Sequence, residues 1–195
     1  MLTNYTGLHY YDVQIRTPRL VLRLLSENDC AAWINVKQSN YDFLQPFEPI
    51  WDMDCLTYIG FNRLLHDLKH GFQVGNYYGF VIIEQSTAEL IGYIELGNIL
   101  SWPKQCATVG YWIDYKKQGL GYMSEAVKHL CLWATKRLNL IKIEAGTMTT
   151  NEKSQRVLTK VGFKQEGISK AYGEIDGIFK DHVLWGITAH DLGRA

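Results

Sequence analysis

The sequence contains little proline and cysteine and no long apolar run. Four prolines among 195 residues leave no proline-rich linker. The cysteines form no C-x-x-C pair, which argues against a zinc site or a disulfide framework and favours a reducing compartment; they stand at Cys30, Cys55, Cys106 and Cys131. No segment approaches the roughly 18–20 apolar residues of a membrane span, and the N-terminus lacks the apolar core of a secretory signal. We therefore expect a cytoplasmic protein with no membrane partner and no metal.

An excess of either charge is also absent. The formal net charge is +0 at pH 7, and no lysine–arginine stripe is present, so we expect no direct contact with nucleic acid. The two halves nevertheless differ, because residues 1–98 hold 6 Lys+Arg and 11 Asp+Glu while residues 99–195 hold 14 and 9. Either one half receives a cation and the other an anion, or the charges interleave on folding without functional meaning.

What the sequence does contain is a pattern typical of one mixed α/β domain over residues 1–195, with its core at about 15–188. Hydrophobic residues make up 47% of the chain, which is a globular composition. Apolar periodicity predicts strands over 15–25, 77–85, 89–100, 106–114, 140–150 and 164–188, the last as two strands around Asp176-Gly177. It predicts helices over 26–38, 55–70, 122–138 and 152–161, with Gly71 and Gly162 as C-caps of the second and fourth.

A glycine-containing turn, Gln118-Gly119-Leu120-Gly121, lies between a predicted strand and a predicted helix. Glycine permits positive φ and close approach of a ligand. The free N–H groups and the dipole of the following helix then attract phosphate. Lys116 and Lys117 would add positive charge. The alternative is a glycine turn that serves only the chain conformation.

This turn resembles the Q/R-x-x-G-x-G/A pyrophosphate motif of the GNAT superfamily of N-acetyltransferases, with Met123 in the sixth position. A second GNAT motif resembles Asn151-Glu152-Lys153-Ser154 and continues to Gly162-Phe163, one helix and one strand later. Stretches at 17–23, 42–49 and 176–183 are similar to the ribosomal-protein alanine N-acetyltransferase group, so the resemblance covers about 15–188.

The resemblance implies a twisted mixed sheet of about seven strands, flanked by helices, that is splayed between its fourth and fifth strands. On this mapping 106–114 is the fourth strand and 140–150 the fifth, and acetyl-CoA lies in the opening as co-substrate. A backbone N–H near Trp112 and Ile113 would bind the acetyl carbonyl. The implied cofactor-binding residues are Trp112, Ile113, Gln118, Gly119, Leu120, Gly121, Tyr122, Met123 and Asn151.

The resemblance also implies direct attack by an amine, without an acyl-enzyme. Many relatives carry a tyrosine acid seven residues after the motif asparagine, where this chain has Leu158. Ser154, one turn earlier, either donates to the leaving thiolate or is an ordinary residue of a first helical turn. Asn151 is likewise an N-cap, a contact for the pantetheine arm, or both.

Deprotonation of the amine calls for a carboxylate, and three are candidates. Glu48 lies in the most group-specific stretch, Glu95 on a central strand, and Glu174 in the last hairpin. Each has an alternative reading as an ordinary surface or sheet-edge charge.

The acidic, aromatic segment 39–54 suits a basic peptide, although it also fits a packed loop with solvated acids. The resemblance implies an acetyltransferase for a protein N-terminus, foremost alanine of a ribosomal protein, and we expect it to act as a monomer or homodimer. The alternatives are a small amine as acceptor (an antibiotic, a polyamine or an amino acid) and a non-catalytic CoA-binding protein.

Overall fold

An eight-stranded sheet runs through the computed structural model, which describes residues 7–193. Its strands are β1 Gln14–Arg16, β2 Leu20–Leu24, β3 Tyr78–Glu84, β4 Leu90–Leu100, β5 Cys106–Ile113, β6 Lys142–Met148, β7 Lys164–Ile175 and β8 Ile178–Thr188. Their spatial order is β1-β2-β3-β4-β5-β6-β8-β7. The pair β5–β6 is parallel and the other pairs are antiparallel, which confirms the expected mixed sheet.

The helices follow the predicted order with one addition, α2. They are α1 Cys30–Ser39, α2 Tyr41–Leu44, α3 Tyr58–Val74, α4 Tyr122–Arg137 and α5 Glu152–Val161. Short 3₁₀ turns lie at Tyr10–Asp12, Glu27–Asp29, Gln45–Phe47 and Tyr115–Lys117. The segment predicted as a loop over 39–54 therefore contains α2 and one 3₁₀ turn. Among residues 7–193, no helix has the length and apolarity required to cross a membrane.

The strand predicted over 15–25 is two strands, which makes the count eight rather than about seven. Pro18 has no N–H and cannot continue a ladder. The chain turns there, with Thr17 N donating to Leu20 O at 2.9 Å. β1 then folds back antiparallel on β2, with Ile15 opposite Leu22.

Gly71 does not end α3, contrary to the sequence prediction. The helix continues to Val74, and Gly75 caps it in the left-handed region at φ 73°. Gly71 is buried inside the helix, where an added Cβ would lie 2.7 Å from Cβ of Tyr77. A close packing contact, rather than a helix end, therefore requires glycine at this position.

The two faces of the sheet pack against different helices. Phe80, Ile82 and Ile94 belong to a core that includes buried residues of α4 and α5. Val81 and Tyr93, which alternate with them along the strands, belong to a second core with α1 and α3. The sheet is thus covered on one side by α4 and α5 and on the other by α1 and α3.

The sheet is splayed between β5 and β6, as expected. The two strands pair only over Cys106–Thr108 and Lys142–Glu144. β5 continues to Ile113 and β6 to Met148 without further pairing to each other. Past Thr108 the two strands leave an opening in the middle of the sheet, and the functional site is built around it.

Candidate functional site

The opening between β5 and β6 widens into a cavity of about 1210 Å³. Most of the residues predicted from the sequence line it: Glu48, Glu95, Trp112, Ile113, Gln118, Gly119, Gly121, Tyr122, Met123, Asn151 and Ser154. Leu120 and Glu174 do not. Leu120 is 54% exposed because the positive-φ glycines on either side turn its side chain outward. Glu174 is exposed because the next residue of β7, Ile175, is buried, and alternation turns Glu174 to the other face.

The glycine turn leaves its backbone donors free. Gly119 and Gly121 have φ values of 72° and 80°. Within residues 7–193, none of the N–H groups of residues 119–124 donates a hydrogen bond to the protein. Nε2 of Gln118 is buried without a partner among the described residues. These donors lie at the start of α4, where the helix dipole adds partial positive charge, and they fit a phosphate group.

Met123, which departs from the family motif, packs its side chain into the core and is only 5% exposed. Only its backbone is therefore available to a ligand at the turn. The methionine side chain is accommodated in the core beneath α4. The N–H groups of the turn therefore remain accessible.

Lys117, one of the two lysines that the sequence indicated, is paired with carboxylates. Lys117 Nζ lies 2.6 Å from Glu84 Oε2 and 3.3 Å from Glu89 Oε2. Hydrogen bonds from Lys117 and Tyr122 lower the pKa of Glu84 to about 2, so Lys117 is committed to this carboxylate. Two other cations approach instead, since a Cβ added to Gly121 would lie 3.6 Å from Arg19 Nη2 and 3.6 Å from Lys160 Nζ.

Arg19 also holds the turn in place. Its Nε lies 2.7 Å from Glu125 Oε2, and its Nη1 donates to Leu120 O at 3.0 Å. Thr17 Oγ1 donates to the same Glu125 at 2.6 Å, and the Arg19 guanidinium stacks 4.4 Å from the ring centre of Tyr122. The β1–β2 turn is thereby tied to the first turn of α4. Sequence reasoning missed this role because Arg19 and Glu125 are 106 residues apart.

Arg19→Ala is expected to raise the KM for acetyl-CoA about tenfold, since it removes one charge-assisted contact of roughly 1.5–3 kcal/mol and a support of the turn. Steady-state kinetics with varied acetyl-CoA concentration measures this KM. Arg16→Ala is the matched control, because it removes the same charge from an exposed strand position outside the cavity. Equal KM values for the two variants would contradict the assignment of Arg19 to the turn.

The strand register distinguishes the two backbone donors proposed at the end of β5. Asp114 N donates to Ile91 O at 2.8 Å, outside the pair Gly92–Ile113. In an antiparallel ladder this makes Gly92–Ile113 the non-hydrogen-bonded pair. The N–H of Trp112 therefore donates to β4, whereas the N–H of Ile113 points away from β4. Ile113 N–H therefore faces the opening.

Glu95 is a half-buried carboxylate that lines the cavity. It lies opposite Gly110 on β5, where an added Cβ would come within 2.9 Å of Glu95 Oε1. Tyr77 donates a hydrogen bond to Glu95 Oε2. Burial raises the pKa of this carboxyl above its ordinary value of 4.5. A carboxylate whose pKa is raised in a cleft is a candidate proton acceptor.

Glu48 is paired with a cation. Lys37 Nζ lies 2.7 Å from Glu48 Oε2, and Trp51 Nε1 donates to the same oxygen at 2.6 Å. The Lys37 ammonium also lies 3.9 Å from the ring centre of Trp51. These contacts tie one oxygen of Glu48 to Lys37 and Trp51, whereas Glu95 has no ion-pair partner among the described residues.

Asn151 and Ser154 form the start of α5. Asn151 is the N-cap, since its Oδ1 accepts from Ser154 N at 3.1 Å. The Ser154 hydroxyl lies 2.9 Å from the phenol oxygen of Tyr111, a cavity residue that the sequence analysis did not single out. Alternation along β5 could have placed Tyr111 on the same face as α4 and α5.

The cysteines lie outside the cavity, and burial raises the pKa of the Cys131 thiol to about 12. A cysteine nucleophile therefore has no support from the geometry. Within residues 7–193, no group of three or more His, Cys, Asp or Glu side chains is arranged to hold a metal ion.

Comparison with known proteins agrees with this geometry. The family model for the acetyltransferase (GNAT) domain matches residues 19–164. The [ribosomal protein uS5]-alanine N-acetyltransferase of Escherichia coli is 30% identical over 179 residues, covering 92% of this chain and 92% of that protein. The solved ribosomal-protein-S5-alanine acetyltransferase of Vibrio fischeri is 31% identical, with a TM-score of 0.84 over 91% of this chain and 97% of its own.

A further similar structure was solved with a form of coenzyme A bound. RimJ of Mycobacterium smegmatis, in complex with CoA-disulfide, is 29% identical, with a TM-score of 0.86 over 94% of this chain and 89% of its own. The two motifs, the splayed sheet and these similarities lead to one conclusion: the chain belongs to the GNAT family of acetyltransferases.

Proposed function

We propose that this enzyme transfers the acetyl group of acetyl-CoA directly to the N-terminal α-amine of a protein, with alanine of a ribosomal protein as the first candidate. The observation that carries the proposal is one cavity that joins the glycine turn, on the α4 side of the sheet, to Glu95, on the α1/α3 side. An acetyl thioester bound at the turn and an amine entering from the other face would meet at the split between β5 and β6.

The residues of the turn suit acetyl-CoA. The N–H groups of residues 119–124 and the amide of Gln118 are donors for the pyrophosphate, with Arg19 and Lys160 as counter-charges. Asn151 uses its side-chain oxygen as a helix cap and keeps its amide N–H₂ for the pantetheine arm. Ile113 N–H would donate to the acetyl carbonyl oxygen, where negative charge develops.

Glu95 is the base in this proposal. An α-amine titrates at about 7.7–8.0, against about 10.4 for lysine, so an α-amine needs only a modest base near neutral pH. Glu95 is half-buried, accepts a hydrogen bond from Tyr77 and has no cation paired with it among the described residues. Glu48, held by Lys37, would shape the acceptor side of the cavity, and Glu174 would act only from outside it.

Ser154 would assist the leaving group. Its N–H is used by the Asn151 cap, and its hydroxyl lies at the cavity wall beside Leu158, which cannot supply a proton. A hydrogen bond from this hydroxyl would stabilise the negative charge on the departing sulfur.

The acceptor side favours a basic peptide. Phe43 and Phe47 line the cavity, and the neighbouring Asp42 and Asp52 have no ion-pair partner within residues 7–193. Unpaired acids beside an aromatic wall attract a positively charged chain and speed its association. The alanine acetyltransferase names of the similar proteins support the same acceptor class.

Two matched peptides test the acceptor. We expect CoA release with a peptide that has a free N-terminal alanine before a basic sequence. We expect none with the same peptide when the α-amine is blocked and an internal lysine is kept, because lysine holds its proton at neutral pH. Turnover with the blocked peptide would contradict α-amine specificity. Turnover with neither peptide, but with polyamines or amino acids, would assign the enzyme to small amines. Acetyl-CoA binding without any turnover would indicate a binding protein.

A further inference from the structure

Tyr111 bridges the split in the sheet. It lies on β5 beyond Thr108, the last β5 residue paired with β6. Its phenol oxygen is 2.9 Å from Ser154 Oγ and 3.3 Å from the Ser154 carbonyl oxygen at the start of α5. The side chain therefore spans from β5 to the helix that carries the proposed leaving-group donor.

The phenol hydrogen of Tyr111 has two acceptors within reach, Ser154 Oγ and the Ser154 carbonyl oxygen. A phenol has one O–H to donate, and burial raises the pKa of Tyr111, so it keeps its proton. The shorter contact is to Ser154 Oγ, and Asn151 Oδ1 accepts from the Ser154 N–H rather than from its hydroxyl. If Oγ accepts from Tyr111, the serine's own hydrogen has no acceptor among the described residues and is left for the cavity.

We propose that Tyr111 is a positioning residue that orients the Ser154 hydroxyl, so that its hydrogen points at the departing sulfur. This inference rests on the proposed role of Ser154. In the transfer step a carbon–nitrogen bond forms, a carbon–sulfur bond breaks, and its electron pair leaves on sulfur. The amine proton goes to Glu95. Ser154 and Tyr111 keep their protons and only donate hydrogen bonds.

The alternative is a purely structural tie between β5 and α5. The two roles use different atoms of Ser154. A structural tie through the carbonyl oxygen survives when the serine side chain is removed, whereas orientation of the hydroxyl does not. A double-mutant cycle between Tyr111→Phe and Ser154→Ala therefore separates them.

We expect Ser154→Ala to lower kcat about 100-fold, which is the size of one lost donor to developing charge. Tyr111→Phe should lower kcat about tenfold through a lost hydrogen bond. Neither variant should change the KM for acetyl-CoA by more than about twofold. The double variant should be no slower than Ser154→Ala alone, because residues that act as a unit are not additive. Tyr11→Phe is the control, since it removes a phenol that donates to Glu27 away from the cavity.

Several outcomes would overturn the inference. If Tyr111→Phe slows the Ser154→Ala enzyme as much as it slows the wild type, Tyr111 acts independently of the hydroxyl. If Tyr111→Phe unfolds the protein or changes only the acetyl-CoA KM, its role is structural. If Ser154→Ala has the wild-type kcat, Ser154 has no leaving-group role and Tyr111 has nothing to orient; acetyl transfer to peptide would then still stand.

Discussion

Gly121→Val is expected to weaken acetyl-CoA binding at least about 100-fold while the protein remains folded. Gly121 has a φ of 80°, and its neighbours in the turn offer free N–H groups to the ligand. A hydrogen bond to a charged group contributes roughly 1.5–3 kcal/mol, so blocking two of them is enough for this loss. The Gly121 Cβ position itself is not crowded, with its nearest atoms at 3.6 Å. The loss would therefore come from the valine methyl groups and a displaced turn.

Backbone strain must be separated from the loss of the binding surface. Any non-glycine residue in the left-handed region costs about 1–2 kcal/mol, which a domain with roughly 5–15 kcal/mol of stability can tolerate. Gly121→Ala carries similar strain with less bulk, so its affinity should fall less than that of Gly121→Val. Gly75→Ala, at φ 73° on the C-cap of α3, measures the strain alone away from the cavity.

Isothermal titration with CoA and thermal unfolding provide the two readouts. Loss of affinity in Gly121→Val, beyond that in Gly121→Ala and at matched stability, supports the phosphate-binding turn. Wild-type affinity in the valine variant would refute it.

Glu95→Gln is expected to lower kcat by about 10²–10⁴, the usual range for a lost general base. Glutamine keeps the shape and can still accept from Tyr77, so the change removes basicity more than structure. Glu48→Gln should have a smaller effect because Lys37 already holds that carboxylate. Glu174→Gln changes an exposed residue outside the cavity. If kcat falls most in either of these two variants, the base must be reassigned.

The protonation of Glu95 is expected to lower the enzymatic rate at low pH. Burial raises the pKa of this carboxyl above 4.5, and a base must be deprotonated to act. The wild-type rate should therefore fall as pH falls through the raised pKa. Glu95→Gln should lack this limb of the kcat profile, which a pH series from acidic to neutral buffer measures.

Stability should change in the opposite direction with pH. A raised pKa means that the folded protein binds the proton more tightly than the unfolded chain. The contribution of Glu95 to stability is therefore fully present below the unfolded pKa near 4.5, and it is lost as pH rises through the folded pKa. Relative to Glu95→Gln, the wild type should lose unfolding free energy over this window. A constant difference between the two proteins would contradict the raised pKa.

Local signals predicted much of the fold. The helix predicted from residue 26 begins with a 3₁₀ turn at Glu27–Asp29, where Ser26 N donates to Asp29 Oδ2 at 2.8 Å. Gly162, at φ 109°, ends α5, and Asp176-Gly177 turns the last hairpin. These features depend on a few neighbouring residues and on backbone sterics, which a single sequence expresses directly.

Glycines show the limit of such signals. Gly71 is the predicted helix end, but Gly75 is the glycine that adopts positive φ and ends α3. Gly71 is required by the packing of Tyr77. The sequence does not distinguish a glycine that is required for a close packing contact from one that is required for positive φ. Only the tertiary structure distinguishes them.

By itself, the sequence determined most of the helices and strands, the glycine turn, the capped start of α5 and the resemblance on which the acetyltransferase assignment began. The tertiary structure decided which charges remain free. In the folded chain Lys117 is paired with Glu84 and Lys37 with Glu48. Arg19 contacts the glycine turn, which is about a hundred residues away in the sequence. Backbone conformation is set over a few residues, but ion pairing and burial depend on three-dimensional proximity, and these distinguish Glu95, which has no ion-pair partner among the described residues, from the paired Glu48.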